Sequence, residues 1–581
     1  MEDIVTPFDL FCTNLTNKLR MAIESLVASN VAKDLILSES FKRLLYANYG
    51  FGERLEKEKI SVSFYETLSI PSYDLNIKSI ILISSSTERY LRSMMAFLNE
   101  FCEFFKDQDF SLYMLIYPRR DYIGKQIIET MSSERVKLRL KAIRDLNFDF
   151  FPLEDYLLDL DYEQTLSELY LSNEYNVHNL SAESLYKFQL LFGQFNNLVS
   201  VGPNADKVVH VLDQIHRENR DEPLPAATLY HNCIVIDRNM DLVTPLMTQF
   251  TYTGLLDEVF GVKNNLLNIP ANFVNKTIDS KDKIYFNLKN DKDPEYRRIK
   301  DYNYTHFVNY VKKLLPELEA QKVDKETLKT KGVSKEMLDN QIRKDFMEKH
   351  LNLILRIDAR LKQVDDFEKT TYQTSVILGD PALFERLVDD IQIQLPIEIV
   401  LNLLILTNFY LAGFTARQYE ILHKELLDAY GVGIVKTLMN LEKAGLFVNK
   451  DDKDSNFELV NLNNLANYKK IFEILDNNVH MRTERDISTC YNGYIPILVK
   501  IIESVLHNTP VDPNIPLKYT NQENKHLFAQ QDGVLLFVVG GVSYSEVSCL
   551  QRLASQNNKN MMICTTNVTN SSSLVNTFLN K

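Results

Sequence analysis

The sequence has few cysteines, and their spacing suggests neither a metal site nor a set of disulfides. Six cysteines are scattered over 581 residues without a C-x-x-C pair, at positions 12, 102, 233, 490, 549 and 564. This pattern gives no support to a zinc site or a disulfide framework, and it is typical of a protein in a reducing compartment.

Motifs for common catalytic and cofactor chemistry are also missing. The ten histidines include no H-E-x-x-H, and His210 and His216 are six residues apart, which places them on different faces of a helix. No G-x-S-x-G elbow occurs. The glycines in Gly431–Gly433 and Gly540–Gly541 lack the rest of a phosphate-binding frame, so tight-turn packing explains them better. We predict no catalytic residue, no bound metal and no cofactor.

The charge balance and the lack of long apolar runs limit the possible partners. A formal charge of -13 argues against nucleic acid or an anionic membrane as the main partner, because phosphate binding needs clustered cations. The acidic start "MEDIVTPFDL" does not resemble a signal peptide. The uncharged run Ile399–Ala416 contains Asn402 and Asn408 and has no basic flank, which predicts a buried helix. We expect a cytoplasmic protein, recruited to membranes through partners.

The first 145 residues alternate between strand-like and helix-like patterns. Short apolar runs at Lys33–Ser38, Lys78–Ser86 and Ser111–Arg119 are separated by amphipathic stretches. Buried strands between helices indicate a parallel sheet that is covered on both faces. Residues 1–145 are therefore predicted to form a first α/β domain.

The remaining strand signals lie far apart in the chain. One apolar run ends at Asp237, and two more, Gly533–Gly541 and Asn560–Thr566, flank a helical pattern near the C-terminus. From Asp257 to about Asn477 the pattern is helical. Strand–helix–strand units favour a parallel sheet with a right-handed crossover.

The economical interpretation is an α/β protein with a large all-α insert. A second parallel-sheet α/β domain would be built from residues 146–240 and 480–581, and a helical third domain, residues 241–479, would be inserted into it.

The end of the strand at Asp237 allows two interpretations. Phosphatases with an aspartate nucleophile carry a second aspartate two residues on, but this chain has Asn239 there, and no later pair of acids completes a magnesium site. The alternative is structural: Asp237 and Arg238 would tie the strand end to neighbouring chain, and Thr244-Pro245 would turn into a helix. The sequence favours the structural interpretation.

Between Glu295 and Glu319 the insert interleaves aromatic and basic residues. Aromatic residues and arginine are enriched at protein interfaces. The same pattern also fits a helix with aromatics facing the core and cations facing solvent, and composition leaves both open. The aromatic residues are Tyr296, Tyr302, Tyr304, Phe307 and Tyr310, and the basic residues are Arg297, Arg298, Lys300, Lys312 and Lys313.

Four segments together resemble the Sec/Munc (SM) family of syntaxin-binding proteins. The segment from Asp237 to Glu258 has the form D-R-x-x-D-x-x-T-P-L-x-T-Q-x-T-Y-x-G-L-x-D-E. The segments "YGVGIVKTLMNLEKAGLF", "YNGYIPILVKIIE" and "FVVGGVSYSEVSCLQRLA" are similar to later family motifs and follow in the expected order. They are most similar to the branch whose members belong to the HOPS and CORVET tethering complexes.

The resemblance implies a three-domain arch with the same split second domain, no enzymatic activity and no nucleotide chemistry. It also implies that the chain chaperones SNARE assembly at the late endosome, lysosome or vacuole. The implied partners are syntaxin-type and other SNARE proteins, vacuolar protein sorting-associated protein 16 and other HOPS or CORVET subunits. Alternatives are an SM protein of another trafficking step, at the Golgi, endosome or plasma membrane, and a phosphohydrolase that uses Asp237.

By composition and rough position, we select two sets of residues for the roles that the resemblance implies. The first would bind SNARE helices on the helical domain: Arg297, Arg298, Tyr302, Tyr304, Phe307, Tyr310, Lys312 and Lys313. The second would hold the second domain's sheet against the start of the third domain: Asp237, Arg238, Asp241, Thr244, Pro245 and Asp257. If the "TQFTYTGLLDE" segment were exposed, Tyr252 and Asp257 would instead contact a partner.

Overall fold

A computed structural model gives the fold of two compact units. Unit 1 comprises Met1–Gln164, Lys263–Leu267 and Tyr285–Asn290, and unit 2 comprises Thr165–Val262, Asn268–Ile284 and Asp291–Lys581. The structure describes residues 7–26, 33–38, 41, 60–73, 78–117, 120, 122–146, 150–172, 174–220, 223–225, 228–275, 282–289, 293, 295–320, 335–509, 515–520 and 533–579.

Unit 1 contains a parallel five-stranded sheet in the order β2-β1-β3-β4-β5. Its strands are β1 (Asp34–Leu37), β2 (Ser61–Phe64), β3 (Ser79–Ser85), β4 (Ser111–Tyr117) and β5 (Leu140–Asp145). Its helices are Pro7–Leu26, Glu88–Phe104, Tyr122–Met131 and Glu134–Arg139, with a short 3-10 helix at Ile70–Ser72. An antiparallel hairpin follows, of β6 (Phe151–Glu154) and β7 (Leu157–Asp159).

The central strand β3 explains why the predicted strands contain continuous apolar runs. Ile80 and Leu82 pack in one core cluster with the helix Glu88–Phe104. Ile81 and Ile83 pack in a second cluster with the helix Pro7–Leu26. Because alternate residues face opposite sides, a strand covered on both faces carries apolar residues at consecutive positions.

The three strands predicted in this region are confirmed, although residues 118–119 of the third lie outside the described residues. Strands β2 and β5 were missed. Both are at sheet edges and are only partly buried, so their sequences "SVSF" and "LKAIRD" carry no continuous apolar run.

Unit 2 begins with helical turns and two further strands. A short helix, Thr165–Ser167, and a π-helical segment, Glu168–Ser172, come first. The helix Asn176–Phe192, the strand β8 (Asn197–Val201), the helix Pro203–Glu218 and the strand β9 (Asn232–Asp237) follow.

The segment after β9 is mainly helical, as predicted, but the expectation that it holds no sheet was wrong. Three short strands form a small sheet: β10 (Val262–Lys263), β11 (Leu266–Pro270) and β12 (Lys283–Asn287). Strands of two to five residues are too short to show a clear period. The helices are Val243–Leu246, Tyr252–Phe260, Ala271–Val274, Tyr296–Ile299, Tyr304–Ala320, Lys335–Leu361, Val364–Leu378, Leu383–Gln392, Ile397–Leu411, Ala416–Tyr430, Val435–Ala444, Glu458–Leu462 and Leu465–Ile471, with 3-10 turns at Arg238–Met240, Val432–Ile434, Val479–Met481 and Ile487–Tyr491.

The chain then returns to the sheet of β8 and β9. Within unit 2 the sheet also contains β13 (Leu517–Tyr519), β14 (Gly533–Val539) and β15 (Asn560–Thr565). The helices of this part of the chain are Ile497–Leu506, Tyr544–Gln556 and Ser571–Phe578. Strand β14 pairs in parallel with β9 and with β15. The strand that ends at Asp237 thus pairs with the C-terminal strands, as the sequence predicts.

This sheet departs from the prediction in one respect. Strand β13 runs antiparallel to β8, so the sheet is mixed and not purely parallel. The predicted boundaries at residues 240 and 479 stay predictions, because the residues on both sides of them belong to one compact unit.

The uncharged run after Leu395 forms the helix Ile397–Leu411, which is buried from Ile399 to Phe409. Its polar side chains are bonded inside the protein: Asn402 Nδ2 donates to Leu246 O at 2.9 Å, and Asn408 Oδ1 accepts from Val448 N at 3.1 Å. The helix stops where Ala412 adopts a left-handed conformation. The predicted buried helix is confirmed. No helix in the described part of the chain is long and apolar enough to cross a membrane.

We expect Leu404→Ala to lower the free energy of unfolding by about 2–5 kcal/mol, because it leaves a cavity around a fully buried side chain. Leu378→Ala, where 64% of the side chain is exposed, is the matched control and should change it by less than about 0.5 kcal/mol. Urea unfolding of both variants measures the difference. Equal midpoints would contradict the buried position of this helix.

Candidate functional site

The carboxylate of Asp237 lies at the end of β9 and is completely buried. Its Oδ2 accepts a hydrogen bond from Asn204 N at 2.9 Å, and its Oδ1 accepts one from Asn239 N at 3.0 Å. Burial raises the pKa of Asp237 to about 6, although these backbone hydrogen bonds oppose the shift. Both oxygens are occupied by the protein's own amides.

The next side chain, Arg238, is also completely buried and joins distant parts of the chain. Its Nη1 donates to both carboxylate oxygens of Glu546, at 2.8 and 3.0 Å. It also donates to Gly541 O at 3.3 Å, and Nη2 lies 3.5 Å from Asp241 Oδ2. Strand β9 is thereby held to the helix Tyr544–Gln556.

Glu546 has a second role in that helix. Its Oε2 accepts from Ser543 N at 2.9 Å, while Ser543 Oγ accepts from Glu546 N, which is a capping box. Burial raises the pKa of Glu546, and the charge of Arg238 opposes this. The prediction missed Glu546, although the S-x-x-E spacing at Ser543 marks it as a capping residue.

Asp241 connects the same strand end to the helix Ile497–Leu506. Its Oδ2 accepts from Leu498 N at 2.8 Å and from Thr244 Oγ1 at 2.6 Å. Thr244 Oγ1 in turn lies 3.0 Å from the hydroxyl of Tyr494. Pro245 is buried within the helix Val243–Leu246. Tyr494 and Leu498 belong to the "YNGYIPIL" segment, so two of the quoted motifs meet in space.

Two glycines make this arrangement possible. Gly540 has φ +110°, and a Cβ there would lie 2.4 Å from Arg238 Cβ. Gly202 has φ +98°, and a Cβ there would lie 2.6 Å from Asp237 Cβ. A side chain at either glycine would strain the backbone and displace the residue it faces, Asp237 or Arg238. The prediction that the Gly540–Gly541 pair serves tight packing is confirmed.

The second half of the motif is buried as well. Thr251 Oγ1 lies 2.8 Å from Ser545 Oγ, and Asp257 Oδ1 accepts from Val262 N at 2.9 Å. Asn570 Nδ2 donates to Asp257 Oδ2 at 2.9 Å. Burial raises the pKa of Asp257 to about 7. Because Tyr252 is 0% and Asp257 4% exposed, the alternative in which they contact a partner does not apply.

These contacts also weigh against catalysis by Asp237. A phosphoryl nucleophile must reach its substrate, whereas this carboxylate is buried and bonded on both oxygens. Asn239, at the position of the second acid, accepts from the Tyr170 hydroxyl at 2.8 Å. Within the described ranges, no group of three or more acidic, histidine or cysteine side chains has the arrangement of a metal site.

The predicted binding residues of the insert fall into two environments. Arg297, Arg298, Lys312 and Lys313 are exposed, and Tyr302, Tyr304 and Tyr310 are partly buried. The hydroxyl of Tyr310 donates to Glu295 Oε2 at 2.6 Å and accepts from Arg298 Nη1 at 3.1 Å. Tyr304 donates to Asp358 Oδ1 at 3.0 Å. The tyrosines therefore hold the insert together and also show part of their surface to solvent.

Phe307 was predicted as an exposed anchor, but the structure buries it. Its exposure is 0%, and its ring stacks on Tyr252 with centroids 4.8 Å apart. On the helix Tyr304–Ala320, Phe307 shares the inward face with Val311 and Leu314. Since residues three or four apart lie on one helix face, this face packs on the core while Lys312 and Lys313 point outward.

The sequence over most of the chain matches a known family. The model of the Sec1 family matches residues 33–577, and the chain belongs to that family. The predicted fold class, α/β with a large helical insert, is that of SM proteins.

Two relatives within the family are vacuolar sorting proteins. The chain is 25% identical over 498 residues to vacuolar protein sorting-associated protein 33A of Rattus norvegicus, with 81% of each chain covered. It is 23% identical over 499 residues to the vacuolar protein-sorting-associated protein 33 homolog of Arabidopsis thaliana, again with 81% of each covered.

A solved structure has the same fold at much lower sequence identity. The Unc18–syntaxin 1 complex from Monosiga brevicollis matches with a TM-score of 0.61 at 14% identity. The match covers 99% of this chain and 100% of that chain.

We expect Arg238→Met to lower the free energy of unfolding by about 3–5 kcal/mol, because Asp241 and Glu546 would remain as unpaired buried carboxylates. Arg92→Met removes an exposed pair with Glu88 and is the control, with an expected change below about 1 kcal/mol. Urea unfolding of both variants checks the difference, and similar losses would show that the buried pair has no special weight.

The raised pKa values of Asp237 and Asp257 predict a pH dependence of stability. Between their unfolded value near 3.9 and their folded values, the folded protein binds more protons than the unfolded one, so each group lowers the free energy of unfolding as pH rises. The slope is at most about 1.4 kcal/mol per pH unit for each group.

Asp257→Asn should therefore flatten the decline between pH 5 and 7, as measured by urea midpoints at each pH. Asp107→Asn, at an exposed position, is the control and should keep the wild-type slope. An Asp257→Asn slope equal to that of the wild type would contradict the assignment.

Proposed function

We propose that this chain is an SM-type chaperone that binds SNARE motifs and promotes SNARE-complex assembly in vesicle tethering and fusion. The observation that carries the proposal is membership of the Sec1 family over residues 33–577. The solved relative with the same fold is a complex with syntaxin 1, which supports a syntaxin-type client.

We further propose that it acts at the late endosome, lysosome or vacuole as a subunit of HOPS or CORVET. The two vacuolar sorting relatives support this assignment. In this proposal vacuolar protein sorting-associated protein 16 is a direct partner, and the chain associates with membranes through its complex.

The proposed SNARE-binding surface is the exposed side of the insert around Arg297, Arg298, Lys312 and Lys313. These four residues are positively charged, whereas the chain as a whole has a formal charge of -13. Ordering a disordered SNARE segment costs free energy, which contacts on the surface must offset. Exposed cations would raise the rate of encounter with an acidic helix and favour one orientation of it. The half-exposed rings of Tyr302, Tyr304 and Tyr310 would supply apolar contact area.

We expect Lys312→Glu/Lys313→Glu to weaken binding of a late-endosomal syntaxin SNARE motif at low salt, because the reversed charges would repel an acidic helix. The expected loss is about tenfold in affinity, or about 1.4 kcal/mol. Lys424→Glu/Lys453→Glu carries the same charge change at exposed positions and should bind like the wild type. Titration by fluorescence anisotropy at two salt concentrations measures both.

A pull-down from cytosol and detergent-solubilised membranes tests the assignment to a branch. Tethering subunits together with vacuolar SNAREs are expected. A syntaxin from another compartment without tethering subunits would assign the chain to another trafficking step. If a folded chain captured neither, the chaperone proposal would fail.

A further inference from the structure

A second exposed surface lies on the helix Val364–Leu378, outside the residues assigned to SNARE binding. Phe367 and Leu378 are 59% and 64% exposed, and Thr371 and Thr374 between them are exposed too. The spacing of four, three and four residues places all four on one face of the helix.

The two threonines make this face more apolar than their residue type suggests. Thr371 Oγ1 donates to Phe367 O at 2.8 Å, and Thr374 Oγ1 donates to Thr370 O at 3.0 Å. Because the hydroxyls bond back to the helix, they are not free to bind a partner through their protons. The face is therefore an apolar ridge along the helix.

A cavity opens at the C-terminal end of this ridge. Its volume is about 200 Å³, and its lining is partly polar, with Gln373, Asp476 and Asn477 among the polar residues. The apolar side chains in the lining include Met247, Phe250, Ile377, Leu378, Leu475 and Val479. For scale, an apolar protein cavity of about 150 Å³ binds benzene. The cavity can take one leucine-sized or phenylalanine-sized side chain.

Two polar groups lie close to Gly379, the residue that follows Leu378. A Cβ on Gly379, whose φ is +87°, would lie 3.3 Å from Tyr410 Oη and 3.4 Å from Lys469 Nζ. Within the described part of the chain, neither group forms a hydrogen bond or an ion pair. Partial burial lowers the pKa of Lys469. An ammonium in this position gains from a carboxylate that supplies the missing partner.

The acid in the lining of the cavity, Asp476, does not meet this need. Asp476 Oδ2 accepts from Arg482 Nε at 2.6 Å and from Ser488 Oγ at 3.0 Å, and Oδ1 accepts from Asn478 N at 2.9 Å. Its carboxylate is used within its own loop, so the complementary charge must come from another molecule.

We propose that the ridge Phe367–Leu378 and its cavity form a docking site for an acidic, apolar segment of a partner protein. A large apolar side chain of that segment fills the cavity, and a neighbouring carboxylate binds Lys469 Nζ and Tyr410 Oη. This inference does not rest on the SNARE binding proposed above, which is assigned to other residues.

The test is selection of a random 12-residue peptide library on the full chain, with counter-selection on Leu378→Arg. Recovered peptides should carry a leucine, isoleucine, phenylalanine or methionine within two positions of an aspartate or glutamate. Failure to enrich any peptide, or enrichment of basic or uncharged ones, would overturn the proposal. So would recovery of a segment of this chain itself, which would indicate self-association.

Synthesised consensus peptides then test the polar contact. Lys469→Glu should weaken binding about tenfold, and Tyr410→Phe about threefold. Lys424→Glu, at an exposed lysine on the helix Ala416–Tyr430, should leave it unchanged. Equal weakening by Lys424→Glu and Lys469→Glu would overturn the specific contact.

A purely structural Lys469 is distinguished by charge exchange. Lysine near the C-terminal end of a helix also stabilises that helix through its dipole. A structural role predicts a lower unfolding midpoint for Lys469→Glu and no change in peptide preference. The docking site predicts that a folded Lys469→Glu variant selects lysine or arginine beside the apolar residue.

Discussion

The packing of unit 2 depends on one buried guanidinium, that of Arg238, having charged and hydrogen-bonding partners. A charge removed from water is tolerated only when paired charges and hydrogen bonds replace its hydration. Here Glu546 supplies the pairing from 308 residues further along the chain, and Asp241 adds a second acid. The end of β9, the start of the helix Tyr544–Gln556 and the helix Ile497–Leu506 must therefore assemble together. Lengthening an inserted segment costs little, because closure entropy grows by only about 0.6 kcal/mol for each doubling of loop length.

The segment Asp237–Glu258 also packs against the helices that carry the proposed SNARE surface. Tyr252, in the middle of the motif, stacks on Phe307 of the helix Tyr304–Ala320, and its hydroxyl lies 2.9 Å from His350 Nδ1 on the helix Lys335–Leu361. His350 Nε2 lies 2.7 Å from Asp293 Oδ2, within the same buried network. A motif that takes no part in catalysis can thus be necessary for the proposed SNARE binding, because it fixes the helices that present the exposed cations. This separates two kinds of residue: buried polar groups that position the insert, and solvent-facing groups that remain available to partners.

How far each site could be predicted from the sequence depended on whether one element or several form it. The strands at Lys78–Ser86 and at Asp237 were predictable because apolar side chains on consecutive residues signal burial on both faces. The edge strands and the three short strands of the insert were not, because their side chains are partly exposed or the strands are only two to five residues long. The prediction that Phe307 is exposed was wrong for a related reason. The composition of a helix shows which residues it contains, but not which of its faces packs on the core. The docking ridge on Val364–Leu378 could not be foreseen, since its cavity joins residues near 247, 377 and 479.

The sequence by itself determined the family, the α/β class with a helical insert and the structural role favoured for Asp237 and Arg238. Those conclusions depend on local order along the chain: apolar runs, turn residues and a motif whose letters are contiguous. Only the tertiary structure decided the partner of Arg238, the burial of Tyr252, Asp257 and Phe307, and the pairing of Asp241 with Leu498. These depend on which distant segments pack together away from water. An unpaired charge buried there costs several kcal/mol, which is comparable to the whole free energy of unfolding of many proteins. No spacing along the chain records that proximity, because it arises only when distant segments of the chain fold together.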